Sequence, residues 1–138
     1  MNGTLRIRRV YLPPAAEDGA RVLADRLWPR GVSKEKAAAA LWAKDAAPAD
    51  ELRRWYGHEP DRFPEFARRY AAQLDGSAAA AQLAAQCRVW LERGNVTLLY
   101  AAKDGARSNA AVLKDWLCAR LAGAEPEPMN QNMPNTED

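Results

Sequence analysis

Apolar residues recur along the chain at two spacings, alternate positions in short runs and every third or fourth position in longer ones, and the two kinds of run take turns. Residues 5–10 and 21–28 read as strands, since Val22, Leu23 and Leu27 stand among residues a helix does not need. Between them, 12–19 has a loop composition with Pro13, Pro14 and Gly19, and Pro29 and Gly31 stop the second strand. Ser33 is placed to cap a helix running through Lys36, Ala37, Ala40 and Leu41, and Pro48 ends the segment after it. A short helix from Ala49 or Asp50 through Leu52 and Trp55 closes at Gly57. Asp61 can cap the next, whose stripe is Phe63, Phe66, Ala67, Tyr70 and Leu74. Ser77 opens another with Leu83, Cys87, Trp90 and Leu91 inward, and Gly94 is expected as its left-handed cap. Residues 96–100 form an apolar strand suited to burial on both faces, and a last helix carries Ala110, Leu113, Leu117 and Leu121 to Gly123. Strands separated by helices predict an α/β fold: a compact layered domain with a small, mainly parallel sheet flanked by helices on both faces.

The length of 138 residues fits one domain, expected over residues 1–122. Residues 123–138, with Pro126, Pro128, Pro134 and four Asn or Gln, are expected to be a disordered acidic tail. That tail holds Glu125, Glu127, Glu137 and Asp138 and no Lys or Arg, so the net charge of +2 leaves +6 on the body. A charge of that size serves solubility, or a polyanionic partner. Of the 66 hydrophobic residues 29 are alanine, which buries little area, so the aromatic residues must supply much of the core. No apolar run approaches the ~18 residues of a membrane span and no signal peptide is legible, so a cytoplasmic protein with no membrane partner is expected. Cys87 and Cys118 fall within helical patterns and read as reduced, half-buried packing thiols. Nothing indicates a metal or cofactor: there is no zinc-type Cys or His cluster and no glycine-rich phosphate loop.

In open α/β sheets ligands bind beyond the carboxyl ends of the strands. Two such ends here are charged. The second strand finishes in Asp25, Arg26, Leu27, Trp28, Pro29, Arg30 and Gly31, and the last in Lys103 and Asp104. Burying charge costs several kcal/mol per ion unless the ions pair. Either the two ends are tied by ion pairs, or Arg26, Arg30 and Lys103 clamp a phosphate or carboxylate while Asp25 or Asp104 handles a proton. In the second case the five residues converge on one concavity. Lys44 and Asp45 join this rim if residues 43–46 return to the sheet, and are a solvated pair if they are helical. His58, the one histidine, lies in a tight loop where it either caps and packs or serves as general acid or base alongside Asp25 and Asp104. Arg62, Arg68 and Arg69, off the apolar stripe of their helix, are the surface that a nucleic-acid partner would use. The sequence leaves the oligomeric state open.

Five segments in order resemble one family: Arg8 to Tyr11, Asp25 to Gly31, Leu41 to Asp45, Leu52 to His58, and Thr97 to Asp104 are similar to the YeaO-like bacterial proteins, within the group labelled domain of unknown function 488. The resemblance extends from residue 5 to about 121 and implies a compact bacterial α/β domain, without an established reaction. Where that family typically has His-Asn shortly after its Lys-Asp, this chain has Arg107 and Ser108. The resemblance therefore implies that any chemistry resting on that histidine is lost here, or has moved to His58.

Overall fold

The computed structural model describes residues 2–123, so the acidic tail expected beyond them lies outside the described residues save for Gly123. Four strands, β1 (Leu5–Arg9), β2 (Ala20–Leu23), β3 (Leu41–Trp42) and β4 (Val96–Tyr100), form one sheet in the order β1-β4-β2-β3. Every pairing is parallel; Leu98 of β4 lies opposite Ile7 on one side and Val22 on the other. Five α-helices accompany them among the described residues: α1 (Lys34–Ala37), α2 (Asp50–Tyr56), α3 (Phe63–Asp75), α4 (Ala78–Leu91) and α5 (Asn109–Gly123).

Strand alternation divides the burial between two faces. Leu5, Val22, Val96, Leu98 and Tyr100 turn to the larger core, with Phe66, Tyr70 and Leu74 of α3, Leu83 and Cys87 of α4, and Leu113 and Leu117 of α5. Leu23 and Leu99 turn to the smaller core with Val10, Val32 and Ala37 of α1, so the second face is covered by one helical turn and its loops. The aromatic stripe of α3 packs as its spacing predicts. Phe66 stacks on Tyr56 with ring centroids 4.3 Å apart, and the Tyr70 hydroxyl donates to the Ala46 carbonyl at 2.5 Å.

Four local expectations are corrected. The second strand stops at Leu23, because the Ala24 N–H still reaches the Leu99 carbonyl but the Asp25 carbonyl accepts from Trp42 Nε1. The helix after Ser33 lasts one turn. Ser33 caps it through the Lys36 N–H at 3.0 Å, then Ala38 turns left-handed at φ 48°, and Leu41–Trp42 is the edge strand β3. An alanine run has helix propensity but little area to bury, and pairing with Val22–Leu23 prevails over it. Asp61 does not cap α3; it sits in the 3-10 turn Pro60–Arg62 that leads into it. Gly94 is not left-handed, the positive-φ glycines being Gly19, Gly31 and Gly57.

Cys87 is fully buried, with its thiol pushed up to about 12 by burial, whereas Cys118 is exposed on α5 rather than half-buried. No helix among the described residues is long and apolar enough to cross a membrane.

Candidate functional site

Because all four strands run the same way, the segments leaving β2 and β4 open on one edge of the sheet, where α2 stands beside them. They enclose a cleft of about 400 Å³. Its apolar lining comes from Trp28, Pro29, Pro48, Tyr56 and Phe66. Its charged lining is Asp25 and Arg26 from the β2 end, Arg53 and Arg54 from α2, His58 from the turn after α2, and Arg107 from the loop after β4.

Asp25 is held from the neighbouring strand end. Its Oδ2 accepts the Ala101 N–H at 3.0 Å and its Oδ1 accepts from Asn109 Nδ2 at 3.1 Å, while the same Asn109 amide donates to the Ala24 carbonyl at 3.0 Å. Burial raises its pKa above the ordinary carboxylate value, and the Asn109 and Ala101 hydrogen bonds and the nearby His58 oppose that rise. Arg26 donates Nε to the Pro48 carbonyl at 3.1 Å, which ties the β2 end to the entry of α2. No carboxylate among the described residues lies within ion-pair distance of it. Arg53 and Arg54 both pair with Asp50, and Arg107 pairs with Asp104 at 2.8 Å. The Tyr56 hydroxyl donates to the Arg107 carbonyl at 2.6 Å, joining α2 to the β4 loop. Burial raises the Tyr56 pKa, with the Asp104 charge adding to the effect and Arg107 opposing it.

His58 follows Gly57 in a turn where both are left-handed, at φ 60° and 54°. Gly57 adopts that conformation freely and histidine does so at a cost, so the turn presents His58 on the cleft by a backbone most residues avoid.

The five residues expected to converge do not all do so. Asp25 and Arg26 line the cleft, and His58 does as well. Arg30, Lys103 and Asp104 do not. With β2 ending early, Trp28 Nε1 donates to the Val32 carbonyl at 2.6 Å and turns the chain outward, so Arg30 is exposed and its carbonyl accepts from the Tyr11 hydroxyl. Lys103 is exposed before the 3-10 turn Gly105–Arg107, and Asp104 accepts from Arg107, which lowers its pKa. Lys44 lies in the 3-10 turn Lys44–Ala46, with its ammonium 5.0 Å from the Trp42 ring centroid, and stands off the cleft with Asp45. Arg30→Ala is accordingly expected to change stability by no more than about 0.5 kcal/mol, as exposed substitutions do. Denaturant melts check it, and a loss of several kcal/mol would reveal a carboxylate partner.

Sequence reasoning missed Arg53, Arg54, Arg107 and Asn109 as cleft residues. For Asn109 a signal existed, since it follows the β4 end as the first residue of the last helix, beside the β2 end on the adjacent strand. The arginines of α3 and of the 3-10 turn before it are occupied locally. Arg68 and Arg69 pair with Glu65, and Arg62 donates to the Trp55 carbonyl with its guanidinium 5.5 Å from that ring.

Residues 4–136 match the family model described as the inactive DUF488-N3 subclade. An uncharacterized protein of Mycobacterium tuberculosis (strain H37Rv) is 47% identical over 116 residues, 84% of this chain and 95% of that protein. The uncharacterized protein YeaO of Escherichia coli K12 is 37% identical over 113 residues, 82% of this chain and 96% of its own. No solved structure matches.

Proposed function

This chain belongs to the YeaO-like DUF488 family, in the subclade described as inactive, and from that premise we propose that its strand-end cleft binds a small phosphorylated anion without turning it over. The observation that carries this reading is Arg26. Its Nε is fixed on the Pro48 carbonyl and no carboxylate among the described residues lies within ion-pair distance of it, which leaves the terminal nitrogens of a planar donor fork for a ligand of the cleft that Arg26 lines. Arg53, Arg54 and Arg107 add positive potential, moderated by Asp50 and Asp104.

Turnover has less support than binding. A general base must gain a proton, and the N–H bonds that Ala101 and Asn109 donate to the two Asp25 oxygens hold that carboxylate in place and oppose its protonation. Arg107 and Ser108 stand where the resemblance places His-Asn, so the remaining acid or base on the cleft would be His58.

Thermal unfolding with inorganic phosphate, sugar phosphates and nucleoside monophosphates tests the reading, because a ligand of the native state raises Tm by mass action. At least one compound is expected to do so. Arg26→Ala is expected to abolish that shift while costing the free protein about 1 kcal/mol, the scale of one hydrogen bond. The reading fails if no phosphorylated compound shifts Tm, or if the variant keeps the shift. Steep weakening of RNA or DNA binding with salt, without any small-ligand shift, would instead favour a nucleic-acid accessory role for the basic body.

A further inference from the structure

The cleft carries charge of both signs, and this restricts its ligand further; the inference rests on the anion-binding reading above. Asp25 lines the same cleft as the arginines and forms no ion pair with any of them. A carboxylate offers about four acceptor positions on its two oxygens. Ala101 N–H takes one on Oδ2 and Asn109 Nδ2 takes one on Oδ1, so each oxygen keeps one unused. Burial raises the Asp25 pKa and those two N–H donors oppose that rise; against the carboxylate a phosphate would meet like charge.

The ligand's negative end therefore lies toward Arg26, and N–H donors face Asp25. Two acceptor positions, one on each oxygen, suit a planar edge that presents two adjacent N–H groups. The same cleft is lined by Trp28, Pro29, Tyr56 and Phe66, which give it an apolar wall. A volume of about 400 Å³ is near the lower end of the ~300–1,000 Å³ range of small-molecule sites and matches one nucleotide better than two.

We propose that the cleft takes a guanine mononucleotide, with the N1–H and N2–H edge of the base on the two oxygens of Asp25 and the phosphate on Arg26. Adenine and cytosine present one donor beside an acceptor, and a carboxylate leaves that acceptor unanswered. The arrangement makes Asp25 a reader of the base rather than a proton carrier.

Calorimetric titration of the full chain with guanosine, inosine, xanthosine and adenosine 5′-monophosphates, and with ribose 5-phosphate, tests this. Inosine monophosphate lacks the N2 amine, and removing one hydrogen bond to a charged group is expected to weaken binding about 10–100-fold. Xanthosine monophosphate sets a carbonyl against the carboxylate and is expected to bind more weakly still. Asp25→Asn is expected to bring the guanine and inosine compounds within about threefold of each other. If that variant fails to fold, the ligand series on the unaltered protein decides alone. Equal affinity for ribose 5-phosphate and all four nucleotides overturns guanine recognition while leaving anion binding intact. No binding by any of them overturns guanine recognition, and overturns anion binding as well if inorganic phosphate and the other sugar phosphates also leave Tm unchanged. Tighter binding of an oligonucleotide ending in guanosine monophosphate than of the free nucleotide overturns the mononucleotide assignment.

Discussion

Asp18→Ala is expected to cost about 3–5 kcal/mol, because it leaves a buried cation without its counter-ion. Asp18 is fully buried and Arg21 is 4% exposed; their side chains meet at 2.5 Å between Oδ2 and a guanidinium nitrogen. The Ala15 N–H also donates to Asp18 at 3.0 Å, and Arg8 approaches the other oxygen at 3.5 Å. Arg21 is held in turn by the Ala37 carbonyl, which accepts from its Nε at 2.8 Å. Removing Asp18 leaves the guanidinium in the smaller face of the sheet with that one carbonyl partner. Arg21→Met alone should be damaging for the converse reason. The double variant should lose less than the sum of the two, since neither charge is then stranded. Urea melts of the four proteins at neutral pH measure this coupling, and additive losses would mean the pair does not act as a unit.

The same pair has a pH signature. Burial pushes the Asp18 pKa up, but the Ala15 N–H, the Arg21 hydrogen bond and the charges of Arg8 and Arg21 together outweigh it, leaving the folded value below the ordinary 3.8. The unfolded chain therefore binds the proton first as pH falls. The stability that Asp18 contributes is present above about pH 3.8 and is lost as pH falls through its lower folded value. The alanine variant should lack this acid limb.

How far the fold was legible depended on whether local pattern and tertiary pairing agreed. They agreed for β4, whose run Val96, Thr97, Leu98, Leu99 and Tyr100 is buried throughout, and for α3, whose stripe packs as drawn. They conflicted at residues 37–42. Four alanines promised more helix there, yet the Ala40 N–H donates to the Arg21 carbonyl at 2.7 Å and the next two residues join the sheet. That partner is 19 positions away in sequence, so no local window contains it.

For the cleft, the rule that places ligands at the carboxyl ends of parallel strands led to the edge of the sheet where it opens, and Asp25 and Arg26 line it. It could not say which way each side chain points. The Trp28–Val32 hydrogen bond that turns Arg30 away comes from a loop conformation, and the pairing of Asp104 with Arg107 from a 3-10 turn. Neither has a periodicity to betray it. Arg53 and Arg54 reach the cleft because α2 docks beside the strand ends, a placement decided by Tyr56 stacking on Phe66 and donating to the Arg107 carbonyl.

Gly19→Ala is expected to cost about 2–5 kcal/mol, from backbone strain and from a collision that the sheet cannot absorb cheaply. Gly19 sits at φ 62°, ψ −133°, a combination open to glycine and strained for alanine. A Cβ built there would lie 1.9 Å from the Asn95 carbonyl oxygen. That oxygen is not free to move, since it accepts the Ala20 N–H at 2.9 Å where β2 begins to pair with β4. The Asn95 side chain is committed on both sides too, accepting the Thr4 N–H at 2.8 Å and donating to the Glu17 carbonyl at 2.7 Å. Relief by shifting Asn95 would therefore disturb the starts of β1, β2 and β4 together. Gly76→Ala is the control: its added Cβ meets nothing within 4 Å and its φ is −99°, so a change within about 0.5 kcal/mol is expected. Denaturant melts of both variants against the unaltered chain separate the cases. If Gly19→Ala lost no more than Gly76→Ala, the approach of Gly19 to Asn95 would have to be loose enough for a methyl group, and the first rung between β2 and β4 would not be held by it.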